Sequence, residues 1–290
     1  MSVDKELQSP FLEKMSASPE PDSSVAPQKK RKRGEVGQEA KKAAKKAKTK
    51  KAKAAEEDDL DLEAGINKAF ANMDNQLLAD YVAKQTKKHE SDLSTIELED
   101  KYLPASAIQD TTSWTKPRTL DKLPAFLEKF AGNSTKLWSA SKKNGAPHTI
   151  IVSAAGLRAA EIARQIKPRS FHNHFLHKNR MMRTFSTKDA IVAKLFAKHI
   201  KLQDSIKFLK STRTGIAVGT PARLKDLMDD GALQVDRLER IVVDASHIDV
   251  KKRGILEMKE TQVPLTVWLG QKEFVEKYGS KTDGIQLLFY

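Results

Sequence analysis

Residues Thr214–Asp249 read TGIAVGTPARLKDLMDDGALQVDRLERIVVDASHID, and this stretch decides the fold. The apolar run Gly215 to Val218 breaks at Gly219. Thr220-Pro221 then opens a helical pattern with Leu224, Leu227 and Met228 on one face. Thr220 is expected to supply a capping oxygen, and Pro221 suits the first helical position, where an N–H has no intrahelical partner. Asp229, Asp230 and Gly231 stop that helix, and a second apolar strand, Arg240 to Val243, follows. Strand, turn, helix and strand at this spacing imply a parallel sheet.

Working outward, Leu123 to Phe130 reads as a short helix, and His148 to Gly156 as a buried strand running into a helix, Leu157 to Ile166, stopped by Pro168. The pattern predicts a helical segment over Lys188 to His199 and another over Gln203 to Lys210. Towards Tyr290 come PLTVWLG (Pro264 to Gly270), a helix around Phe274 to Tyr278, and IQLLFY, Ile285 to Tyr290, a candidate strand. Upstream, Ile66, Phe70, Met73, Leu77, Leu78, Tyr81 and Val82 recur at helical spacing and predict a helix from about Leu60 to Lys88. Its apolar stripe suits packing on the neighbouring domain better than a separate partner. His89 to Trp114 is irregular and acidic with scattered apolar anchors. The expected organisation is an arm over 1–59, a helix and irregular segment over 60–119 packing on a lobe, and an α/β lobe over 120–290.

The chain of 290 residues has a net charge of +14 and no cysteine. Thirteen Lys and Arg against two Glu lie in Gln28 to Lys53, but acidic residues in Met1 to Pro27 and in Glu56 to Glu63 largely offset them. The part beyond the arm is therefore itself basic, and a polyanion is its natural partner. Without cysteine there are no disulfides, thiolate metal sites or cysteine nucleophiles, which fits a reducing compartment. No apolar run approaches a membrane span and no hydrophobic signal core opens the chain, so a soluble intracellular protein with no membrane partner is expected.

Met1 to Ala26 is rich in Ser and Pro with few large apolar residues and is expected to be disordered. Two basic blocks follow. Lys29, Lys30, Arg31, Lys32 and Arg33 form the first, and the second opens with Lys41, Lys42, Lys45 and Lys46. They read as a nuclear or nucleolar address; the plainer reading, compatible with it, is a polybasic arm that clings to RNA or DNA.

The central stretch carries a resemblance. GTPARLKDLM is similar to the TPGRL motif of DEAD-box RNA helicases, and VVDASH stands where that family has its DEAD tetrapeptide. IIVSAAGLRAAEIARQI resembles the segment bearing the helicase PTRELA motif. The order from about Leu120 to Tyr290 matches a first RecA-like lobe. With the N-terminal half, including SDLSTIELEDKYLPASAIQDTTSW, the chain resembles the degenerate DEAD-box-like family of the 90S pre-ribosome, or small-subunit processome, the Cms-one type.

That resemblance implies a single RecA-like lobe with a parallel sheet flanked by helices. It implies a non-catalytic nucleolar factor of small-subunit ribosome biogenesis, with pre-rRNA or other structured RNA and ribosome assembly factors as partners. Candidate RNA-backbone contacts, carried over from the helicase motifs, are Gly156, Arg158, Thr220 and Arg223, although Ala222 replaces the glycine of closest approach. The alternative is that Thr220 and Pro221 are only a helix cap and Arg223 only a surface charge.

At the degenerate DEAD position, Asp244-Ala245-Ser246-His247, Asp244 matches the aspartate that in helicases helps hold magnesium. Ala245 replaces the water-activating Glu, and His247 the last Asp. A phosphate loop needs glycines, a Lys and a Ser/Thr in fixed order. The nearest stretch, AGNSTKLW at Ala131 to Trp138, lacks that order and reads as an ordinary loop. The second RecA-like lobe that closes over ATP in helicases is expected to be absent. No catalytic residue, cofactor or metal is therefore expected. His172, His174 and His177 read as a basic loop with RNA contact on protonation rather than a zinc site, and His247 as making a local hydrogen bond. The rival is a residual ATPase, or a helicase-like subunit completed in trans by a partner lobe; a third reading is a general RNA or chromatin binder acting through its arm.

Overall fold

The computed structural model describes residues 59–166, 191–197, 200–280 and 284–290. These belong to one compact unit, Ala52–Tyr290. The basic blocks, the Ser/Pro-rich start and His172, His174 and His177 lie outside the described residues.

The described chain opens with an antiparallel hairpin, β1 (Leu60–Asp61) and β2 (Ile66–Asn67), whose turn passes through Gly65 at φ 65°. A 3-10 turn, Lys68–Ala71, leads to α1 (Asn75–His89), where Asp74 Oδ1 accepts from the Leu77 amide at 2.8 Å. The helix expected from Leu60 thus begins only at Asn75. Ile66 and Phe70 are buried, as the stripe required, but from a strand and a 3-10 turn. The left-handed backbone at Gly65 and the cap at Asp74 are what an α-helix cannot run through.

α2 (Thr95–Glu99) starts in a capping box in which Ser94 and Glu97 satisfy each other's backbone amides. Then come α3 (Leu123–Phe130), α4 (Ser134–Leu137), β3 (Thr149–Val152), α5 (Gly156–Gln165), β4 (Ile191–Leu195), α6 (Leu202–Ser211), β5 (Thr214–Gly219) and α7 (Pro221–Asp229). β6 (Arg240–Val243), α8 (Lys259–Leu269), α9 (Lys272–Val275) and β7 (Gln286–Phe289) complete the order.

β4, β5, β3, β6 and β7 form, in that order, one five-stranded parallel sheet. Side chains alternate between its faces. Ile150, Val152, Ala217, Ile241 and Val243 pack with Phe70, Leu78, Leu209, Leu224, Leu227 and Trp268 on one side. Ile151, Ile216, Val218, Val242 and Leu288 pack with Phe126, Leu127, Ala159 and Ile162 on the other. Helices therefore cover both faces, and the sheet strands read as continuous apolar runs for that reason. This is the α/β architecture of a single RecA-like lobe.

Within the stretch Lys188 to His199, expected as a helix, the described residues Ile191–Leu195 instead form the edge strand β4. Ala193 and Leu195 pack in one core cluster and Val192 and Phe196 in the other, with Lys194 exposed between them, the two-residue period of a strand. The opposite edge is not bare: Ile108 bridges Leu287 in parallel, and the Gln109 amide donates to Leu287 O at 2.8 Å. Among the described residues no helix is long and apolar enough to cross a membrane.

Candidate functional site

The register lines up the strand ends. Val152 lies level with Gly219 on one side and Val243 on the other. The turns that follow, Ser153–Gly156, Thr220 and Asp244–His247, therefore emerge together at the carboxyl edge of the sheet, where open α/β sheets bind their ligands.

Asp244 is fixed there from the start, because its amide donates to Val152 O at 2.9 Å. Its carboxylate is engaged by Arg158, Nε to Oδ2 at 2.9 Å and Nη2 to Oδ1 at 3.3 Å, and by the Ser153 hydroxyl at 3.4 Å. Only 9% of the Arg158 side chain and 2% of that of Asp244 is exposed, so water competes with neither. Burial alone would lower the Arg158 pKa; the charge of Asp244 and its hydrogen bond outweigh it and raise it. Gly156 is the first residue of α5 and is half-buried; Ala155 before it is exposed, and Leu157 after it is 58% exposed.

Thr220 takes the extended backbone of an N-cap, φ −102° and ψ 149°, and Pro221 the first helical position. The expected capping hydrogen bond is not made: no side-chain bond from Thr220 closes the turn. Its amide continues the sheet by donating to Leu195 O at 3.2 Å. Arg223 is neither a surface charge nor open to a ligand. It is buried, and Nη1 donates to Ile200 O at 3.0 Å and to Ser205 Oγ at 3.4 Å, tying α7 to the start of α6.

Of the degenerate tetrapeptide, Ala245 and Ser246 are buried. The Ser246 amide donates to Tyr290 O at 2.7 Å, Ser246 O accepts from the Asn67 amide at 2.7 Å, and the Ile248 amide donates to Gly65 O at 3.0 Å. Ile66 bridges His247, so the β1–β2 hairpin lies along the motif as an added strand. Burial, and then the nearby Arg158 charge, hold the His247 pKa below its ordinary value. Asp244 and a hydrogen bond with the backbone of Gly65, from the distant β1–β2 hairpin, oppose that shift.

The AGNSTKLW stretch lies at the other edge of the sheet. Asn133 Oδ1 caps the Lys136 amide at 3.0 Å and Lys136 pairs with Glu239. Ala131 O accepts from Arg240 at the start of β6, whereas Asp244 follows its end. A hydrogen-bonded chain missed in the sequence runs beside it. Arg240 Nη1 donates to Thr149 Oγ1 at 3.0 Å, that hydroxyl faces His148 Nδ1 at 2.9 Å, and His148 Nε2 faces Ser139 O at 3.2 Å. The carbonyl can only accept, so Nε2 carries the proton and Nδ1 accepts from Thr149. Burial lowers the His148 pKa, against the bond to Ser139. Arg118, also unremarked in the sequence, is buried and, among the described residues, has no carboxylate partner; it donates to Phe289 O and, at 3.0 Å, to Thr111 Oγ1, and burial pushes its pKa down to about 10. Nothing in local spacing marks either group, because each is completed by a partner from a distant segment, Arg240 for the Thr149 hydroxyl and Phe289 O for Arg118. Among the described residues no cluster of three or more His, Cys, Asp or Glu is placed to hold a metal ion.

Comparison with known proteins agrees on one group. The family model described as "CMS1: U3-containing 90S pre-ribosomal complex subunit" matches residues 20–290. Protein CMS1 of Chaetomium thermophilum is 52% identical over 235 residues, covering 81% of this chain and 87% of that protein. Protein cms1 of Schizosaccharomyces pombe is 29% identical over 208 residues, 72% of this chain and 68% of its own. Protein CMSS1 of Homo sapiens is 28% identical over 165 residues, 57% of this chain and 51% of its own.

Proposed function

The chain belongs to the CMS1 family of U3-containing 90S pre-ribosomal complex subunits, and on that premise we propose that it is a non-catalytic, RNA-holding subunit of the 90S pre-ribosome, acting in the nucleolus. The observation that carries the non-catalytic reading is the closure of Asp244. A carboxylate that serves a magnesium-nucleotide must offer its oxygens to the metal. Here both oxygens are taken by Arg158 and one also by Ser153, in a buried site. Freeing them means breaking a buried ion pair, a cost on the order of 3–5 kcal/mol. Ala245 supplies no base, and no Gly-Lys-Thr sequence supplies a phosphate cradle.

The RNA-holding reading rests on the basic composition and on what the strand-end turns still offer. Gly156 and Thr220 stand at the first turns of α5 and α7, whose amides suit phosphate oxygens. Arg158 and Arg223 act as braces that hold those turns in place. Phosphate contacts of this kind carry no sequence information, so protein partners in the pre-ribosome set specificity.

The test is titration of the full chain with structured pre-rRNA fragments and, separately, with ATP-magnesium. Salt-sensitive RNA binding without nucleotide binding is the expected result. Tight ATP-magnesium binding would overturn the non-catalytic reading and direct attention to a partner that completes a cleft. Absence of RNA binding would overturn the RNA-holding one.

A further inference from the structure

We propose a second RNA-backbone site at the amino edge of the sheet, opposite Asp244, built by Lys142, Lys143 and Lys210 around an open cavity, with Arg213 next to it in the segment that Asn144 bridges. The inference rests on the RNA-holding reading above and assigns it a place that the helicase-like turns do not include.

Lys142, Lys143 and Lys210, with Leu209, Ala232 and Gln234, line a cavity of about 530 Å³, within the size range of small-ligand pockets. The two loop lysines are held in position by backbone contacts on both sides of them. The Ser141 amide donates to Thr214 O at 3.4 Å, the Gly145 amide to Thr212 O at 3.4 Å, and the Gln234 amide to Gly145 O at 2.7 Å. Asn144 Nδ2 donates to Lys210 O at 3.1 Å, and Asn144 bridges Arg213 through the backbone. Gly145 has φ +66°, and a Cβ there would stand 2.4 Å from Ala232 O, so the close seating of this loop depends on glycine.

Charge is in excess at this place. Lys143 pairs with Asp236 at 3.1 Å and Lys210 with Asp230 at 3.5 Å, both partly exposed pairs that an incoming phosphate can replace. Lys142 and Arg213 are exposed and, among the described residues, have no carboxylate partner. Cations near the end of α6 complement its dipole, which accounts for Lys210 and Arg213. It does not account for two further lysines delivered by a separate, pinned loop.

The excess of positive charge calls for a polyanion, and on the RNA-holding reading that polyanion is the RNA backbone.

Binding of a fluorescein-labelled stem-loop RNA to the full chain is measured between about 50 and 200 mM KCl, because each phosphate contact contributes about one unit to the salt slope. Lys142→Gln/Arg213→Gln is compared with Lys88→Gln/Lys259→Gln, which removes the same charge elsewhere. The first pair is expected to lower the slope by about two units and the second to leave it near the parent value. All four side chains are exposed, so melting temperatures stay unchanged. On the unsubstituted chain, acetylation of Lys142, Lys143 and Lys210 is expected to slow when the RNA is present. Equal slopes for the two pairs, or unprotected lysines on a chain that does bind RNA, overturn this site alone. A parent chain that binds no RNA overturns the RNA-holding reading together with it. Protection by polyglutamate but not by RNA reassigns the cluster to an acidic protein.

Discussion

Arg158 grips both oxygens of Asp244, from the first turn of α5 to the end of β6, and so converts a strand-end aspartate into an internal fastening. Removing either partner strands a buried charge. Arg158→Ala and Asp244→Ala are each expected to lose roughly 3–5 kcal/mol of unfolding free energy in urea titrations. The double variant should lose much less than the sum, since neither charge is then left alone. Additive losses would mean that the pair is not coupled.

Histidines shielded from water, one buried and one half-buried, make stability depend on pH. His148 and His247 have folded pKa values below the ordinary His value, so below about pH 6.5 the unfolded chain binds more protons than the folded one. Stability should be level above that pH and fall as the pH drops through it, by up to about 1.4 kcal/mol per pH unit for each histidine. Urea midpoints measured from pH 7.5 to 5 check this. His148→Gln, which keeps a donor for Ser139 O, should remove one histidine's share of the slope.

Gly219 ends β5 where no side chain fits. A Cβ there would stand 2.6 Å from Leu195 O and 2.7 Å from Leu224 Cδ2. Gly219→Ala should cost about 1–3 kcal/mol and lower the melting temperature, because one of the two neighbours is backbone and cannot turn aside.

Rebuilding the helicase tetrapeptide should not rebuild its chemistry. Ala245 is buried, so Ala245→Glu places a carboxylate out of water without a partner. Ala245→Glu with His247→Asp is expected to destabilise the fold and to add neither ATP-magnesium binding nor phosphate release. Calorimetric titration and a hydrolysis assay decide it.

Ser246 Oγ is buried and, among the described residues, has no hydrogen-bond partner. Ser246→Ala removes an unsatisfied group at almost no loss of packing. The melting temperature should hold or rise by a few degrees; a clear fall would show that the hydroxyl has a partner.

Several elements were legible locally. The strand before Gly219, the helix opened by Pro221, the stop at Asp229–Gly231 and the strand before Asp244 all follow from apolar periodicity and backbone chemistry within a few residues of each position. β4 was missed because five residues of mixed period compete with a longer helical reading, and only Lys194 standing between two buried neighbours marks the strand. At the site, Asp244 and the loss of the acidic residue at Ala245 were plain in the sequence. The inward turn of Arg158 and Arg223 was not, since an arginine on a first helical turn reads the same whether it meets solvent or a carboxylate.

The sequence by itself determined the parallel α/β lobe, the basic character beyond the arm and the absence of a Gly-Lys-Thr phosphate loop, because these depend on composition and on neighbours along the chain. The tertiary structure alone decided who meets whom. Asp244 meets Arg158, the hairpin at Gly65 lies along His247, and Lys142 and Lys143 join Lys210 around one cavity. Each of those meetings is set by sheet order and register, which bring together segments tens to hundreds of residues apart, and no local pattern encodes which distant partner a polar side chain will find.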